Sequence, residues 1–231
     1  MKQQLVGKKL CFLLSEDELN KNIFTVANLL HHATDVIENQ EERCIIAEIT
    51  MQAANKAMAI TAFQQAFDYL LKGTELLNDS CWNMHYDETI KMYDLAAKAA
   101  YCIGNYTAMN AYIDTIVKNA TSPLDLIQPS YLKIRFCNDK RMYDDAISVA
   151  VDILDKIDKN IELNRNGSVT SSDMHKAKCL LSGKSCQEIL QMKTMELYPN
   201  AVMMILSSII SSAFYADSSL LFSISRKFIF R

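Results

Sequence analysis

The fold is decided by residues 54–66, which read ANKAMAITAFQQA. Small residues stand on both sides of a short break, and the aromatic Phe63 follows the turn residue Thr61 by two positions. Ala54 and Ala66 allow two helices to approach closely, and the aromatic ring fills the gap between them. The stretch therefore predicts an antiparallel helical hairpin.

The same arrangement recurs twice further along the chain. The corresponding residues are Ala97, Gly104, Tyr106 and Met109 in the second copy, and Ile134, Tyr143 and Ala146 in the third. The three aromatic positions, 63, 106 and 143, are 43 and 37 residues apart, somewhat more than the ~34 residues of a tetratricopeptide repeat. We therefore predict an all-α fold of antiparallel helical hairpins, stacked as a tetratricopeptide-like right-handed superhelix.

The composition agrees with a folded, helical protein. Of the 231 residues, 50% are hydrophobic and 22% are charged, which is typical of a globular chain. Only 5 glycines and 3 prolines occur, whereas all-β proteins need many more turn residues. The net charge of −3 and the scattered basic residues give no indication of nucleic-acid binding or of attraction to an anionic membrane surface.

Apolar spacing and turn residues predict about ten helices in two regions. Residues 1–163 are predicted to hold the tetratricopeptide-like repeats, with helices over 19–37, 41–58, 61–77, 87–102, 106–120, 131–137 and 141–157. Ser15 and Glu18 form a predicted capping box before the first helix. The polar run 164–173 predicts a linker. Residues 174–231 are predicted to add further hairpins and to end without the polar cap that closes a solenoid.

A narrower resemblance rests on the order of several short motifs. They are Leu13-Leu14-Ser15-Glu16-Asp17-Glu18-Leu19, Gln40-Glu41-Glu42-Arg43, Ala54-Asn55-Lys56-Ala57, Ala66-Phe67-Asp68-Tyr69-Leu70, Gly73, Glu75-Leu76-Leu77, Trp82-x-x-His85-Tyr86 and Leu180-Leu181-Ser182-Gly183-Lys184-Ser185. Together they resemble the tetratricopeptide-like region of large signalling proteins that combine a serine/threonine kinase-like domain, an AAA-type ATPase, a GAF sensor and often a histidine kinase. The resemblance implies a fragment or remnant of such a protein, in a stretch that holds none of its ATP-binding or phosphotransfer residues.

Two local patterns suggest chemistry that their surroundings do not support. Gly183-Lys184-Ser185 is similar to the end of a phosphate-binding loop, but Lys178 stands where that loop needs a glycine. His31 and Asp35 are one helical turn apart, whereas a zinc site needs three or four ligands. We therefore predict no catalytic residue, no cofactor, no metal ligand and no enzyme activity in this stretch.

The cysteines indicate a reducing compartment. The seven are Cys11, Cys44, Cys81, Cys102, Cys137, Cys179 and Cys186. Their number is odd and no C-x-x-C pair occurs, so we interpret them as small buried residues. The apolar run at residues 10–14 is too short for a signal-peptide core. These features predict a cytoplasmic protein.

Residues 201–216 form an uncharged stretch of 16 residues. A helix needs ~20 apolar residues to cross a bilayer. We therefore predict a buried core helix here, with a membrane-associated helical protein anchored through 201–224 as the alternative.

The predicted function is that of a non-catalytic scaffold. The repeats would mediate protein–protein or interdomain interaction within an intracellular signalling ATPase/kinase, and the alternative is a stand-alone peptide-binding adaptor. The partner is a peptide segment or a neighbouring domain of the parent chain. Repeat register places five residues on the concave surface that first helices line in such arrays; they are Glu48, Asn55, Lys91, Lys98 and Arg135.

Overall fold

The computed structural model describes residues 15–31, 39–157, 163, 197–221 and 223–224. Every regular element within these residues is a helix, which confirms the predicted all-α class. The chain divides into two compact units, residues 1–119 and 120–231. The predicted linker at 164–173 and the helices predicted directly after it lie outside the described residues.

The helices follow one another with short connections. In the first unit they are α1 (Glu16–Lys21), α2 (Ile23–His31), α3 (Gln40–Ala59), α4 (Phe63–Leu76), α5 (Cys81–Met84), α6 (Tyr86–Cys102) and α7 (Tyr106–Asn119). In the second unit a 3-10 turn (Pro123–Leu126) leads into α8 (Ile127–Asp139), α9 (Tyr143–Ile157), α10 (Leu197–Ser208) and α11 (Ile210–Ala216).

Within the part of the chain that the structure describes, three pairs of helices form hairpins at the predicted positions. They are α3 with α4, α6 with α7, and α8 with α9. In the first unit α4 packs on α6, α3 also contacts α6, and α2 packs on α3. The first hairpin therefore lies against the first helix of the second hairpin.

All three hairpins turn in the same way. The turn residues Thr61, Gly104 and Arg141 have φ angles of 60°, 76° and 59°. The residue after each turn donates its backbone N–H to a carbonyl five residues back, over 2.9 Å (Ala62 to Ala57), 2.9 Å (Asn105 to Ala100) and 2.8 Å (Met142 to Cys137). This is the Schellman motif, which satisfies the last carbonyls of a helix and normally uses glycine at the left-handed position. Only Gly104 follows that preference, so the recurring feature is the conformation of the turn rather than its residue.

Small side chains let the helices of the first unit approach closely. Ala54 and Ala97, at the predicted small positions, are both fully buried. At Gly73 a Cβ atom would lie 3.1 Å from Sδ of Met92 and 3.3 Å from Cγ2 of Thr50. Because these two residues belong to α6 and α3, Gly73 lies where three helices come close together.

The second unit is packed with larger side chains. Its core contains Ile134, Ile147, Ile153 and Leu154 from the hairpin, together with Val202, Ile205, Leu206, Ile209, Leu220 and Ile224 from the C-terminal part. Asn138 joins the two sets, since its Nδ2 donates to the carbonyl of Ser208 over 3.0 Å and its Oδ1 accepts from Ser212. Ser212 is buried, so this hydrogen bond satisfies a polar group inside the core.

Two of the predicted helices differ from those in the structure. The helix predicted over 131–137 runs from Ile127 to Asp139 and includes Pro129. Pro129 is the third residue of α8, where its missing N–H removes no intrahelical hydrogen bond. The helix predicted over 19–37 is interrupted at Asn22, whose N–H donates to the carbonyls of Glu18 and Leu19. The capping box of Ser15 and Glu18 is present as predicted.

The C-terminal apolar stretch is two helices rather than one core helix. Ile209 lies in a turn between α10 and α11 and is fully buried, whereas Phe214 and Tyr215 are 63% and 65% exposed. The apolar stretch is therefore buried on one side only. Within the described residues, no helix combines the length and the apolar character needed to cross a membrane.

Candidate interaction surface

The five predicted interaction residues all lie on first helices of the hairpins. Glu48 and Asn55 belong to α3, Lys91 and Lys98 to α6, and Arg135 to α8. All five are exposed. Each of the five residues thus lies on the first helix of a hairpin, as the repeat register predicted.

Helix α3 presents one polar column to solvent. Glu48 and Asn55 are seven residues apart, which is two helical turns, so they lie on the same side of the helix. Gln52 stands between them and is also exposed, and Ile45, one turn before Glu48, is 41% exposed. The opposite side of α3 is buried through Ala47, Ala53, Ala54 and Ala57. Because the side of α3 that carries these alanines is buried, the polar column on the other side faces solvent.

Helix α6 presents a basic column in the same manner. Lys91 and Lys98 are also two turns apart, roughly 10 Å along the helix axis. Ile90 and Ala97, each next to one of the lysines in sequence, are buried. The two ammonium groups are therefore held on the solvent side of a helix whose other side is part of the core.

We call Glu48, Asn55, Lys91 and Lys98 the first-helix face. The two columns of this face belong to neighbouring helices of the same unit, since α3 contacts α6. One column offers a carboxylate and an amide, and the other offers two ammonium groups, which are hydrogen-bond donors. Groups of these kinds can bind carboxylates and peptide groups.

Arg135 lies in the second unit. Its guanidinium carbon is 5.9 Å from the centroid of the Tyr131 ring, one helical turn away on α8. This is the distance of a cation–π contact. Four of the five predicted residues therefore lie on α3 and α6 of the first unit, whereas Arg135 lies on α8 of the second unit, beside Tyr131.

An aromatic cluster links the second hairpin, α6 with α7, to the short helix α5 that precedes it. The ring centroids of Trp82 and Tyr93 are 5.1 Å apart, and those of Tyr93 and Tyr112 are 5.8 Å apart. Burial raises the pKa of Tyr93, and the neighbouring Tyr112 and Asp79 raise it further. The cluster joins α5, α6 and α7. The sequence shows Trp82 beside Tyr86, but nothing in it indicates the distant Tyr112.

The patterns that suggested metal or phosphate binding lie outside the described residues. This applies to 183–185 and to Asp35, and the side chain of His31 is not described. In the described part of the chain, no group of three or more histidine, cysteine, aspartate or glutamate side chains is arranged to hold a metal ion. His85 ends α5 and precedes α6, and its carbonyl accepts a hydrogen bond of 2.7 Å from the hydroxyl of Thr89.

Among curated proteins, the chain is similar to the hybrid signal transduction histidine kinase G of Dictyostelium discoideum. The two are 21% identical over 178 residues, which cover 73% of this chain and 5% of the histidine kinase. The chain thus spans about a twentieth of the length of that relative. No protein-family model matches the chain, and no solved structure matches it. The likeness to a signal-transduction histidine kinase agrees with the coarser part of the resemblance that the motifs suggest.

Proposed function

We propose that this chain is a non-catalytic helical-repeat scaffold for protein–protein or interdomain interaction within an intracellular signalling ATPase/kinase. The observation that carries the proposal is the similarity to a small portion of a very long signal-transduction histidine kinase. A helical segment of such a protein, with polar columns on exposed helix faces, is suited to passing a change in one domain to the next. The cytoplasm is the compartment in which such a protein would work.

The proposal includes a tetratricopeptide-like right-handed superhelix. It is supported by the shared turn at Thr61, Gly104 and Arg141, because a solenoid needs the same turn in each repeat. It is also supported by the packing of the first unit, where α6 contacts both helices of the preceding hairpin. Helix α2, packed on α3, would be the second helix of a preceding repeat.

The ligand we propose is an acidic, extended protein segment. In a repeat array the concave surface carries the first helices and binds extended chains. Lys91 and Lys98 favour carboxylates about two helical turns apart, while Asn55 can both donate to and accept from a peptide group. The segment belongs either to a neighbouring domain of the parent chain or to a separate protein.

Site-specific photo-crosslinking tests this proposal. A photoreactive amino acid replaces Lys91 in the natural protein, and the matched control carries it at Lys118, which is exposed on the second helix α7. We expect the Lys91 position to crosslink to a defined acidic segment, which mass spectrometry maps, and the Lys118 position to give only background. Equal crosslinking from both positions would contradict a binding role for the first-helix face.

The alternative of a stand-alone peptide-binding adaptor uses the same surface. The crosslinked species decides between an adaptor and an interdomain scaffold. An adaptor would be crosslinked to a different polypeptide, whereas an interdomain scaffold would be crosslinked to a segment of its own polypeptide. A membrane anchor at 201–224 would need its apolar side chains to face lipid. Val202, Ile205 and Leu206 are instead buried in the second unit, which favours the scaffold.

A further inference from the structure

Two thiols meet at the beginning of the first hairpin. Sγ of Cys44, near the start of α3, lies 3.9 Å from Sγ of Cys81, the first residue of α5, and the two residues are 37 positions apart in sequence. Cys81 is fully buried, whereas Cys44 is partly exposed. Of the two residues, Cys44 is therefore the more accessible to a reagent in solvent.

Two amide side chains hold these sulfurs in place. Nε2 of Gln40 donates to Sγ of Cys81 over 3.2 Å and lies 3.8 Å from Sγ of Cys44. Nδ2 of Asn78 donates to Oε1 of Gln40 over 3.0 Å, and the Cys81 thiol donates to Oδ1 of Asn78 over 3.4 Å. The pair is thus fixed by a hydrogen-bonded network from both ends of the hairpin, unlike a chance contact between two mobile side chains.

The chemistry of this pair fits a disulfide better than a metal. Structural zinc takes four ligands from cysteine, histidine or carboxylate groups, and the structure offers two sulfurs and two amides at this place. A disulfide has a sulfur–sulfur bond of about 2.05 Å, so from 3.9 Å the sulfurs need to approach by about 1.9 Å. A change in the χ1 angle of the partly exposed Cys44 is the natural source of that movement.

We propose that Cys44 and Cys81 are a dithiol site which a low-molecular-weight disulfide such as oxidised glutathione converts reversibly into an intramolecular disulfide. The Cys44 thiolate attacks one sulfur of the reagent, forms a mixed disulfide and releases one thiolate. The Cys81 thiolate then attacks Sγ of Cys44 and displaces the second thiolate. The two protons lost by the cysteines go to the two released thiols, so the protein is oxidised by two electrons and the reagent is reduced by two.

The surroundings make this reaction depend on pH. Burial raises the pKa of the Cys44 thiol, and the neighbouring Cys81 thiol raises it further. Both effects favour the protonated form, and the thiolate is the nucleophile. The rate of crosslinking therefore increases about tenfold per pH unit below the pKa of Cys44. The bond would join α3 to the first residue of α5 and so close the first hairpin into a covalent loop.

Oxidation of the 231-residue chain followed by peptide mapping tests the proposal. The reduced protein is incubated with oxidised glutathione at about pH 8, near the ordinary pKa of a thiol, free thiols are alkylated, and linked peptides are identified by mass spectrometry. We expect a peptide pair joined through Cys44 and Cys81, and a rise in the Tm of the chain of roughly 5–10 °C. Dithiothreitol should reverse both changes.

Matched variants separate this site from general thiol reactivity. Cys44→Ser should abolish the linked peptide and the rise in Tm, while Cys102→Ser, which removes an exposed cysteine of α6, should leave both unchanged. Cys44→Ala serves in the same role if circular dichroism shows that the serine variant is unfolded. The proposal would be overturned by a stable mixed disulfide at Cys44, or by no linkage to Cys81 in the wild-type chain.

Discussion

The two units of this molecule bury different side chains around the same kind of hairpin. In the first unit the buried positions of α3 and α6 are mainly alanine, and Gly73 brings three helices together. In the second unit the buried positions are mainly isoleucine, leucine and valine. Small side chains hold helices together through close backbone approach, whereas large ones do so by interdigitation. The turn is therefore what the three hairpins share, and the core around it can be built from small or from large side chains.

One position shows this contrast directly. The residue seven places before the left-handed turn is Ala54 in the first hairpin, Ala97 in the second and Ile134 in the third, and all three are fully buried. The same position thus holds one methyl group in the first unit and a branched four-carbon side chain in the second. Exchanging these residues tests whether each unit is fitted to its own side-chain size.

The largest effect is expected from Ile134→Ala. The substitution removes a fully buried side chain and leaves a cavity among large neighbours, which should lower the free energy of unfolding by about 3–4 kcal/mol. Urea unfolding followed by circular dichroism measures this. The exposed Lys133→Ala is the control and should change stability by less than about 0.5 kcal/mol. Equal effects of the two variants would show that Ile134 is not a core residue.

The reciprocal substitution, Ala97→Ile, should lower the free energy of unfolding by somewhat less. Ala97 is fully buried in a region where helices are close, so the extra atoms force the neighbouring side chains out of their preferred rotamers at a cost of about 1–3 kcal/mol. The same urea experiment applies, with exposed Lys98→Ala as the control. A neutral or stabilising result would mean that the first unit is loosely packed and that its small side chains do not hold the helices together.

Substitutions at the left-handed turn residue should lower the stability of the first unit and raise that of the second. Gly104→Ala places a Cβ on a residue with a φ of 76°, and no atom lies within 4 Å of that Cβ, so any loss of about 1 kcal/mol comes from the backbone alone. Arg141→Gly relieves the same strain at a φ of 59° and should gain up to about 1 kcal/mol. Thermal unfolding of both variants measures the two changes in stability. Changes of the same sign would argue against a shared turn conformation.

The smallest effect concerns the capping box of α1. The backbone N–H and the hydroxyl of Ser15 donate to the Glu18 carboxylate over 3.0 and 2.8 Å and hold the pKa of Glu18 below its ordinary value. The stabilisation is present at neutral pH and is lost as pH falls through the lowered pKa, because the ionised form is the one that is bound. Fraying should be confined to α1.

An NMR titration of Glu18 checks this prediction. Ser15→Ala removes the hydroxyl donor but keeps the backbone N–H, so it should raise the pKa of Glu18 only part of the way to its ordinary value, whereas Ser15→Thr keeps the hydroxyl and should keep the pKa as it is. An unchanged pKa in the alanine variant would show that the Ser15 hydroxyl does not contribute to lowering the pKa of Glu18.

Periodicity predicted most of the helices, because a buried face leaves a clear spacing of apolar residues. Met109, Ile113 and Ile116 of α7 recur at this spacing, and all three are buried. The breaks at Asn22 and Ile209 were missed because the apolar spacing continues across them. Arg141 was not identified as a turn residue, since arginine carries no preference for a left-handed conformation.

Some features of the candidate sites follow from the sequence and others do not. The exposure of Glu48, Asn55, Lys91 and Lys98 follows from helix register alone, and the structure agrees. Cys102 is exposed although the cysteines were predicted to be buried. The contact between Cys44 and Cys81 joins residues 37 positions apart, and no local pattern indicates it.

The central proposal is that these helices are one part of a much larger signalling polypeptide. The most direct measurement is an immunoblot of source cells on a denaturing gel, with an antibody raised against residues 160–175. We predict a band far above the 26.2 kDa of this chain. A single band near 26 kDa would contradict the proposal and would favour a stand-alone adaptor.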